Sequence, residues 1–279
     1  MEDFVLILLV FETLFLVGVV VVLLTKSRKL SRLFGDFNKL QTHEVEQEKV
    51  QREREDFLAM LVHELRSPLS VIRGSADLII KEADNLSRQD IEKLLAQIRT
   101  SSTGLLGIVN DLLDVSKIEA GKFEVRKVKS NINKLLQEES EYFKTLALEK
   151  KITLSTDLQA DLPEFLFDPE RLKQVLNNLI SNSIKFTPES GVIKLESKRL
   201  DGAMRISVSD SGAGIPDDLK PKLFHKFVQL HDSKNTAKGT GLGLVIAKGI
   251  VEAHGGQIWV EDAIPHGAKF CFTLPFFDE

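Results

Sequence analysis

Phe4 to Leu24 is a run of 21 residues whose only charge is Glu12. As a helix rising about 1.5 Å per residue it spans roughly 31 Å, against a bilayer hydrocarbon core of roughly 30 Å. A cleaved signal peptide would begin with basic residues and end in a small-residue cleavage site. This chain begins Met1-Glu2-Asp3, and its basic residues Lys26, Arg28, Lys29 and Arg32 follow the run. The expectation is a single-pass anchor in the cytoplasmic (inner) membrane, with residues from 26 onward in the cytoplasm. Glu12 at mid-membrane costs roughly 2.5–3.5 kcal/mol on insertion scales and either snorkels or contacts a partner helix. Only Met1 to Asp3 would then lie outside, so no extracellular sensor domain is expected and the stimulus must enter elsewhere.

The rest reads as an ordinary folded protein, with 43% hydrophobic and 28% charged residues overall. A net charge of −4 offers no basic face for nucleic acid. The single cysteine, Cys271, excludes an internal disulfide and fits a reducing compartment. Its neighbours Phe270 and Phe272 place it in a buried strand rather than at a reactive site.

Leu30, Leu33, Phe37 and Leu40 suggest a helix continuing out of the membrane, and the charged stretch from Gln41 to Asp56 extends it as a solvated connector. Two long helical patterns follow. One carries Phe57, Leu58, Leu61, Leu65, Leu69, Ile72, Ala76 and Ile79; the other carries Ile91, Leu94, Ile98, Leu105, Val109 and Leu112. Asn85-Leu86-Ser87 joins them, with Ser87 a candidate N-cap, and Gly121 ends the second. A lone pair of helices cannot enclose such stripes, whereas two copies can close a four-helix bundle, so a homodimer is expected. From Lys122 onward helices and strands mix, and helices at 131–150, 169–184 and 242–253 alternate with strands at 152–156, 192–199, 204–210, 257–261 and 269–274. The fold class predicted is α + α/β: a helical hairpin followed by a two-layer α/β sandwich. The domains are then an anchor at 1–25, a helical linker at 26–50, the hairpin at 51–121 and the sandwich at 122–279.

His63 lies at about 200° from Leu61 around its helix, while Leu65, Ile72 and Leu58 lie within about 60°. It therefore points away from the packed stripe, and the alternative is an inert surface histidine. Ser67 shares its face one turn on, and Pro68 removes a backbone hydrogen bond to Glu64 beside it.

Asn178, Asn182 and Lys185 fall together on one flank of the 169–184 helix. That flank is either plain solvated surface or what a Mg²⁺–triphosphate requires, an amide oxygen for the metal and an ammonium for phosphate. Met204, Ile206 and Val208 share one strand parity, and Asp210 inherits it, facing inward. A buried carboxylate needs donors, and an adenine amino group or a tight Asx-turn supplies them equally well. Gly212 and Gly214 follow at once, permitting a close approach to the backbone. Gly239, Gly241 and Gly243 open the next helix and expose N–H groups toward an anion. The polar segment before them is no strand, which excludes a dinucleotide fingerprint, and a P-loop motif is absent.

HELRSP at 63–68, NNLISNSIKFTP at 177–188, DSGAGIP at 210–216, the Phe224–Phe227 segment and GTGLGL at 239–244 together resemble the two-component sensor histidine kinases over nearly all of residues 50–275. The resemblance implies a dimerisation and phosphotransfer hairpin followed by a Bergerat-type ATP-binding domain. It implies His63 as phosphoacceptor, Glu64 as the neighbouring acid/base, Asn182 as Mg²⁺ ligand, Lys185 on phosphate and Asp210 on adenine. By the same resemblance Asn178, Gly212, Gly214, Gly239, Gly241 and Gly243 shape the pocket and lid. It further implies transfer to an aspartate of a separate response regulator, since no receiver-like segment follows Leu274. Ser67 stands where the family often carries Thr or Asn in kinases that also act as regulator phosphatases; it is either a water-orienting hydroxyl for a phosphatase weaker than a Thr would give, or a side chain that satisfies backbone near the Pro68 kink. His225-Lys226 departs from the usual acidic residue and arginine, leaving open which cation reaches the γ-phosphate. Two rivals stand beside this reading. An ATP-hydrolysing clamp would want a glutamate at position 178 to activate water, where this chain has an amide. A catalytically silent scaffold would not need His63, Asn182 and both glycine motifs.

Overall fold

The computed structural model describes residues 58–226 and 241–276, together with residues 18, 26, 47, 48, 51, 52 and 55. The apolar run 4–24 apart from Gly18, the segment 227–240 with Gly239 in it, and most of the linker lie outside the described residues. Among those described, no helix is long and apolar enough to cross a membrane.

Helix α1 covers 58–81 and α2 covers Arg88–Glu119. α1 runs through Pro68 without ending. Ser87 caps α2 as its spacing predicts: its hydroxyl accepts from the Asp90 N–H at 3.2 Å and donates to the Asp90 carboxylate at 2.6 Å. α2 stops at Glu119, and Gly121 beyond it takes a φ of +63°. The two helices are antiparallel, and buried Ser75 donates to Gln97 across their seam at 3.3 Å. The stripes are only partly covered within the chain. Leu61 is buried, but Leu58 and Leu69 are each 51% exposed and Val109 is 41% exposed.

The second layer system has a sheet ordered β2-β4-β5-β7-β6, from strands β2 (Thr153–Leu158), β4 (Val192–Leu200), β5 (Ala203–Asp210), β6 (Ile258–Asp262) and β7 (Ala268–Pro275). β2 and β4 are parallel and the other pairs antiparallel. Helices α3 (Ile132–Glu149), α4 (Pro169–Phe186) and α5 (Gly243–Ala253) lie over it: α3 against β2 and β4, α4 against β5, α5 against β6 and β7. β4 and β5 turn at Asp201-Gly202 as predicted, with Gly202 at φ +75°. A separate two-stranded ladder, β1 (Val128–Ser130) with β3 (Phe165–Phe167), was not anticipated. Three residues carry too short a pattern to declare a strand; pairing across the chain makes it one.

Asp168 and His254 tie these pieces together. Asp168 Oδ1 accepts from the Arg171 N–H at 3.1 Å as the N-cap of α4, and Oδ2 accepts from the Arg126 N–H at 2.7 Å. Its own N–H donates to His254 Nε2 at 3.0 Å, while His254 Nδ1 donates to the Ile250 carbonyl at 2.8 Å. Those partners require the neutral Nδ1–H tautomer. Burial, foremost, pushes the His254 imidazole below its ordinary value. The unfolded imidazole titrates near about pH 6.5, so stability is fully present above that pH and falls as pH drops through it. His254→Leu should lower stability at pH 8 by about 2 kcal/mol, leaving the Asp168 N–H unpaired. The variant's stability should also fall less steeply than the wild type's between pH 7 and 5. Denaturant titrations at several pH values check both, and parallel pH slopes would contradict the assignment.

Candidate functional site

His63 is exposed on α1, with Glu64 half-buried beside it and Ser67 exposed one turn on, as the helical geometry predicts. Counting from the Ser75–Gln97 contact in opposite directions along the antiparallel helices brings His63 level with Val109. Nothing in the hairpin covers the imidazole face.

α4 carries the second group. Its apolar side, Leu172, Val175, Leu176, Leu179 and Ile180, is fully buried. Asn178, Asn182 and Lys185 lie half-buried on its flank. Asn178 Nδ2 donates to the Gly243 carbonyl at 2.9 Å, which pins the start of α5 to the middle of α4. A Cβ on Gly243 would come within 3.1 Å of Asn178 Oδ1, so a glycine suits the contact. Among the described residues Asn182 has no side-chain hydrogen-bond partner, leaving its amide oxygen available to a ligand. Lys185 makes no ion pair within 4 Å among the described residues and stacks its ammonium 5.0 Å from the Phe186 ring centroid. Burial depresses its basicity, the Glu64 carboxylate opposes that, and Lys150 adds to it. A partly desolvated ammonium of this kind favours an anion. The Glu64 carboxylate, next to His63 in the sequence, is thus close enough to act on this ammonium.

Asp210 ends β5, the middle strand of the sheet, and faces inward with Met204, Ile206 and Val208 as its parity predicts. The Asx-turn is there: Oδ1 accepts from the Gly212 N–H at 3.0 Å and from the Ala268 N–H at 3.3 Å. Among the described residues Oδ2 has only the longer contact from the Ser183 hydroxyl at 3.4 Å, so it retains capacity for a further donor. The Asx-turn and a base-binding carboxylate are thus compatible, one oxygen serving each. Burial, outweighing these hydrogen bonds, raises the Asp210 carboxyl above its ordinary range. The glycines keep the region open. A Cβ on Gly212 would stand 2.8 Å from the Phe186 carbonyl and 2.9 Å from Asp210 Oδ1, while Gly214 takes a φ of +74°. The Thr187 hydroxyl oxygen is buried nearby without a hydrogen-bond partner among the described residues.

Gly241 takes a φ of +66° just before α5, and among the described residues no side chain caps the α5 N-terminus. Its first N–H groups therefore suit an anionic ligand. An inward acceptor among glycines, an uncommitted amide oxygen, an ammonium and an uncapped helix start fit an adenine nucleotide with a divalent cation. Lys226, where the sequence departs from the usual pattern, ion-pairs with Glu119, the last residue of α2. Sequence reasoning missed that engagement, and it missed Asp114, Arg171 and His254, whose partners lie far along the chain.

Comparison with known proteins agrees with this geometry. Residues 53–121 match the His Kinase A (phospho-acceptor) domain, and residues 167–278 match the family of histidine kinase-, DNA gyrase B- and HSP90-like ATPases. The sensor histidine kinase GacS of Pseudomonas protegens is 38% identical over 229 residues, which is 80% of this chain and 25% of that protein. The adaptive-response sensory kinase SasA of Microcystis aeruginosa is 35% identical over 229 residues, 80% of this chain and 59% of that one. Hybrid signal transduction histidine kinase D of Dictyostelium discoideum is 37% identical over 228 residues, 78% of this chain but 14% of its own length. The chain thus corresponds to only part of the curated relatives it matches. Full-length ShkA in complex with AMPPNP superposes with a TM-score of 0.61 at 32% identity, over 81% of this chain and 46% of that one. ThkA in complex with the response regulator protein TrrA gives 0.54 at 28% identity, over 84% of this chain and 66% of that one. With a phosphoacceptor hairpin and an ATPase sandwich joined in one chain, each matched by its own family and both together by kinases, the protein belongs to the two-component sensor histidine kinases.

Proposed function

We propose that the protein binds ATP between α4, the Asp210 turn and the start of α5, and phosphorylates its own His63. The observation that carries this is the convergence, around α4, of the uncommitted Asn182 amide, the Lys185 ammonium, the inward Asp210 carboxylate with Oδ2 still open to a donor, and the start of α5 pinned by Asn178. In the reaction the bond from the γ-phosphorus to its bridging oxygen breaks and a bond to an imidazole nitrogen forms. ADP leaves with the electron pair, and Glu64 takes the imidazole proton. Asp210 Oδ2 accepts from the adenine amino group, Lys185 neutralises phosphate charge, and the Gly241–Gly243 backbone shapes the cradle together with Gly212, Gly214 and Gly239. Asn182 would hold Mg²⁺, which when bound supplies charge neutralisation across the phosphates. The phosphoryl group then passes to an aspartate of a separate response regulator.

The partly exposed apolar stripes of α1 and α2 support a homodimer closed as a four-helix bundle. The run 4–24 supports a single-pass anchor in the cytoplasmic membrane. The clamp reading loses ground on Asn178, whose amide is already committed to the Gly243 carbonyl and cannot act as a base for water.

Incubated with γ-labelled ATP and Mg²⁺, the protein should take up label that is lost in acid and survives base, as a phosphoramidate does. His63→Gln should take up none, and Asn182→Ala should label roughly a hundredfold more slowly or worse. Asp210→Asn should weaken nucleotide binding while leaving the fold intact by circular dichroism. Undiminished labelling of His63→Gln would overturn the assignment of the acceptor.

Ser67 offers a hydroxyl on the exposed His63 face and would orient water in dephosphorylating the regulator. It lacks the methyl that restricts the rotamers of Thr. With purified phosphorylated regulator, Ser67→Ala should lose dephosphorylation yet keep autophosphorylation, and Ser67→Thr should dephosphorylate faster than wild type. Equal rates from all three would remove Ser67 from the reaction.

A further inference from the structure

Past the level of His63, the C-terminal part of α2 is held by the ATP-binding domain at three separate elements. Asp114, 6% exposed, accepts from Arg171 Nη1 and from Gln174 Nε2, each at 2.9 Å, and both donors stand on the first turns of α4. Arg171 Nη1 also donates to Gln174 Oε1 at 3.0 Å, so the three side chains close on one another. The same guanidinium lies 4.7 Å from the Phe123 ring centroid, which fixes its plane from the connector side. One turn on, Ile118 seats its side chain where a Cβ on Gly249 of α5 would stand, with Cγ1 at 2.8 Å. At the helix end Glu119 pairs with Lys226, ahead of the Gly239–Gly243 segment. Beside the junction, burial, then the charge of Asp114, pushes the Asp111 carboxyl up to about 6.

The hairpin register gives this junction its consequence. His63 is level with Val109, about 7.5 Å along the axis from Asp114. A domain clamped at Asp114, Ile118 and Glu119 is therefore held beside the His63 of its own chain. The effect of the Glu64 carboxylate on the Lys185 ammonium agrees with that adjacency.

We propose that Asp114, Ile118 and Glu119 form a latch that seats the ATP-binding domain over the histidine of its own protomer, so that phosphoryl transfer runs in cis within the dimer. The inference rests on the kinase reading above and adds which chain's histidine is served. Arg171 and Gln174 act as positioning residues, since they touch the hairpin and not the reacting atoms.

Mixed dimers of the full chain decide it. Differently tagged chains are co-expressed, purified in sequence on both tags and incubated with γ-labelled ATP. A dimer of wild type with a His63→Gln/Asn182→Ala chain should label the wild-type chain at about the rate per active chain of the wild-type homodimer. A dimer of His63→Gln with Asn182→Ala should label neither chain. Label in the second mixture and none in the first would establish transfer in trans and overturn the proposal. Absence of label on His63 of the wild-type homodimer would instead remove the kinase reading itself.

The latch has its own test. Arg171→Asp should slow His63 labelling at saturating ATP by roughly tenfold or more, with nucleotide affinity unchanged, because misplacement and not binding is at fault. Adding Asp114→Arg restores the ion pair with its poles exchanged and should recover the rate to within about threefold of wild type. A single variant that labels like wild type, or a double variant no better than the single, would overturn the latch.

Discussion

Asp168 holds three chain segments with one residue. Its two carboxylate oxygens take the first turn of α4 and the Arg126 amide of the segment leading from the hairpin to β1, and its own amide is taken by His254 at the end of α5. The residue is 8% exposed, so each of these hydrogen bonds forms away from competing water. The position and direction of α4 follow from them. Everything the site uses rides on α4 or is fastened to it, and the chemistry inherits its geometry from this one capped, buried carboxylate.

α4 distributes its tasks by turn. Its opening turns present Arg171 and Gln174 to the hairpin, its middle presents Asn178 to the start of α5, and its final turns carry Asn182 and Lys185. At about 1.5 Å per residue its 18 residues make a rod of roughly 27 Å. A rod of that length lets one rigid element set the distance between the hairpin junction and the nucleotide flank. The opposite face is a closed apolar row against β5, which removes the freedom to rotate about the axis. Positioning, the larger part of catalysis in phosphoryl transfer, is therefore built into secondary structure and not left to loops.

Much of this was legible in the sequence because it is periodic or local. A 100° step sufficed to expose His63, a two-residue step sufficed to bury Asp210, and Ser87 announced its cap three residues ahead of Asp90. The helices and the strands of the large sheet fell within a few residues of their predicted ends. What escaped depends on contacts between distant residues. β1 and β3 are three residues each and exist through one another. Asp114 looked like any helix-surface carboxylate until Arg171, 57 residues away, was folded onto it. Asn178 is a case between these: its flank was readable, but its commitment to the Gly243 carbonyl was not. Asp210 left two readings open in the sequence, and the folded chain satisfies the local one while keeping an oxygen for the other.

The Ser75–Gln97 contact also fixes a phase. Because the hairpin seam pairs specific turns of α1 and α2, one residue added or lost between Ser75 and His63 would swing the imidazole by about 100° around its helix. A change of four residues leaves an error of about 40°, and one of seven leaves about 20° short of two full turns. Even the seven-residue change carries the histidine roughly 10 Å along the axis, beyond any reach that a side chain can make good. Substitution is thus open to this stretch in a way that insertion is not, and its length is a more stringent part of its code than most of its letters.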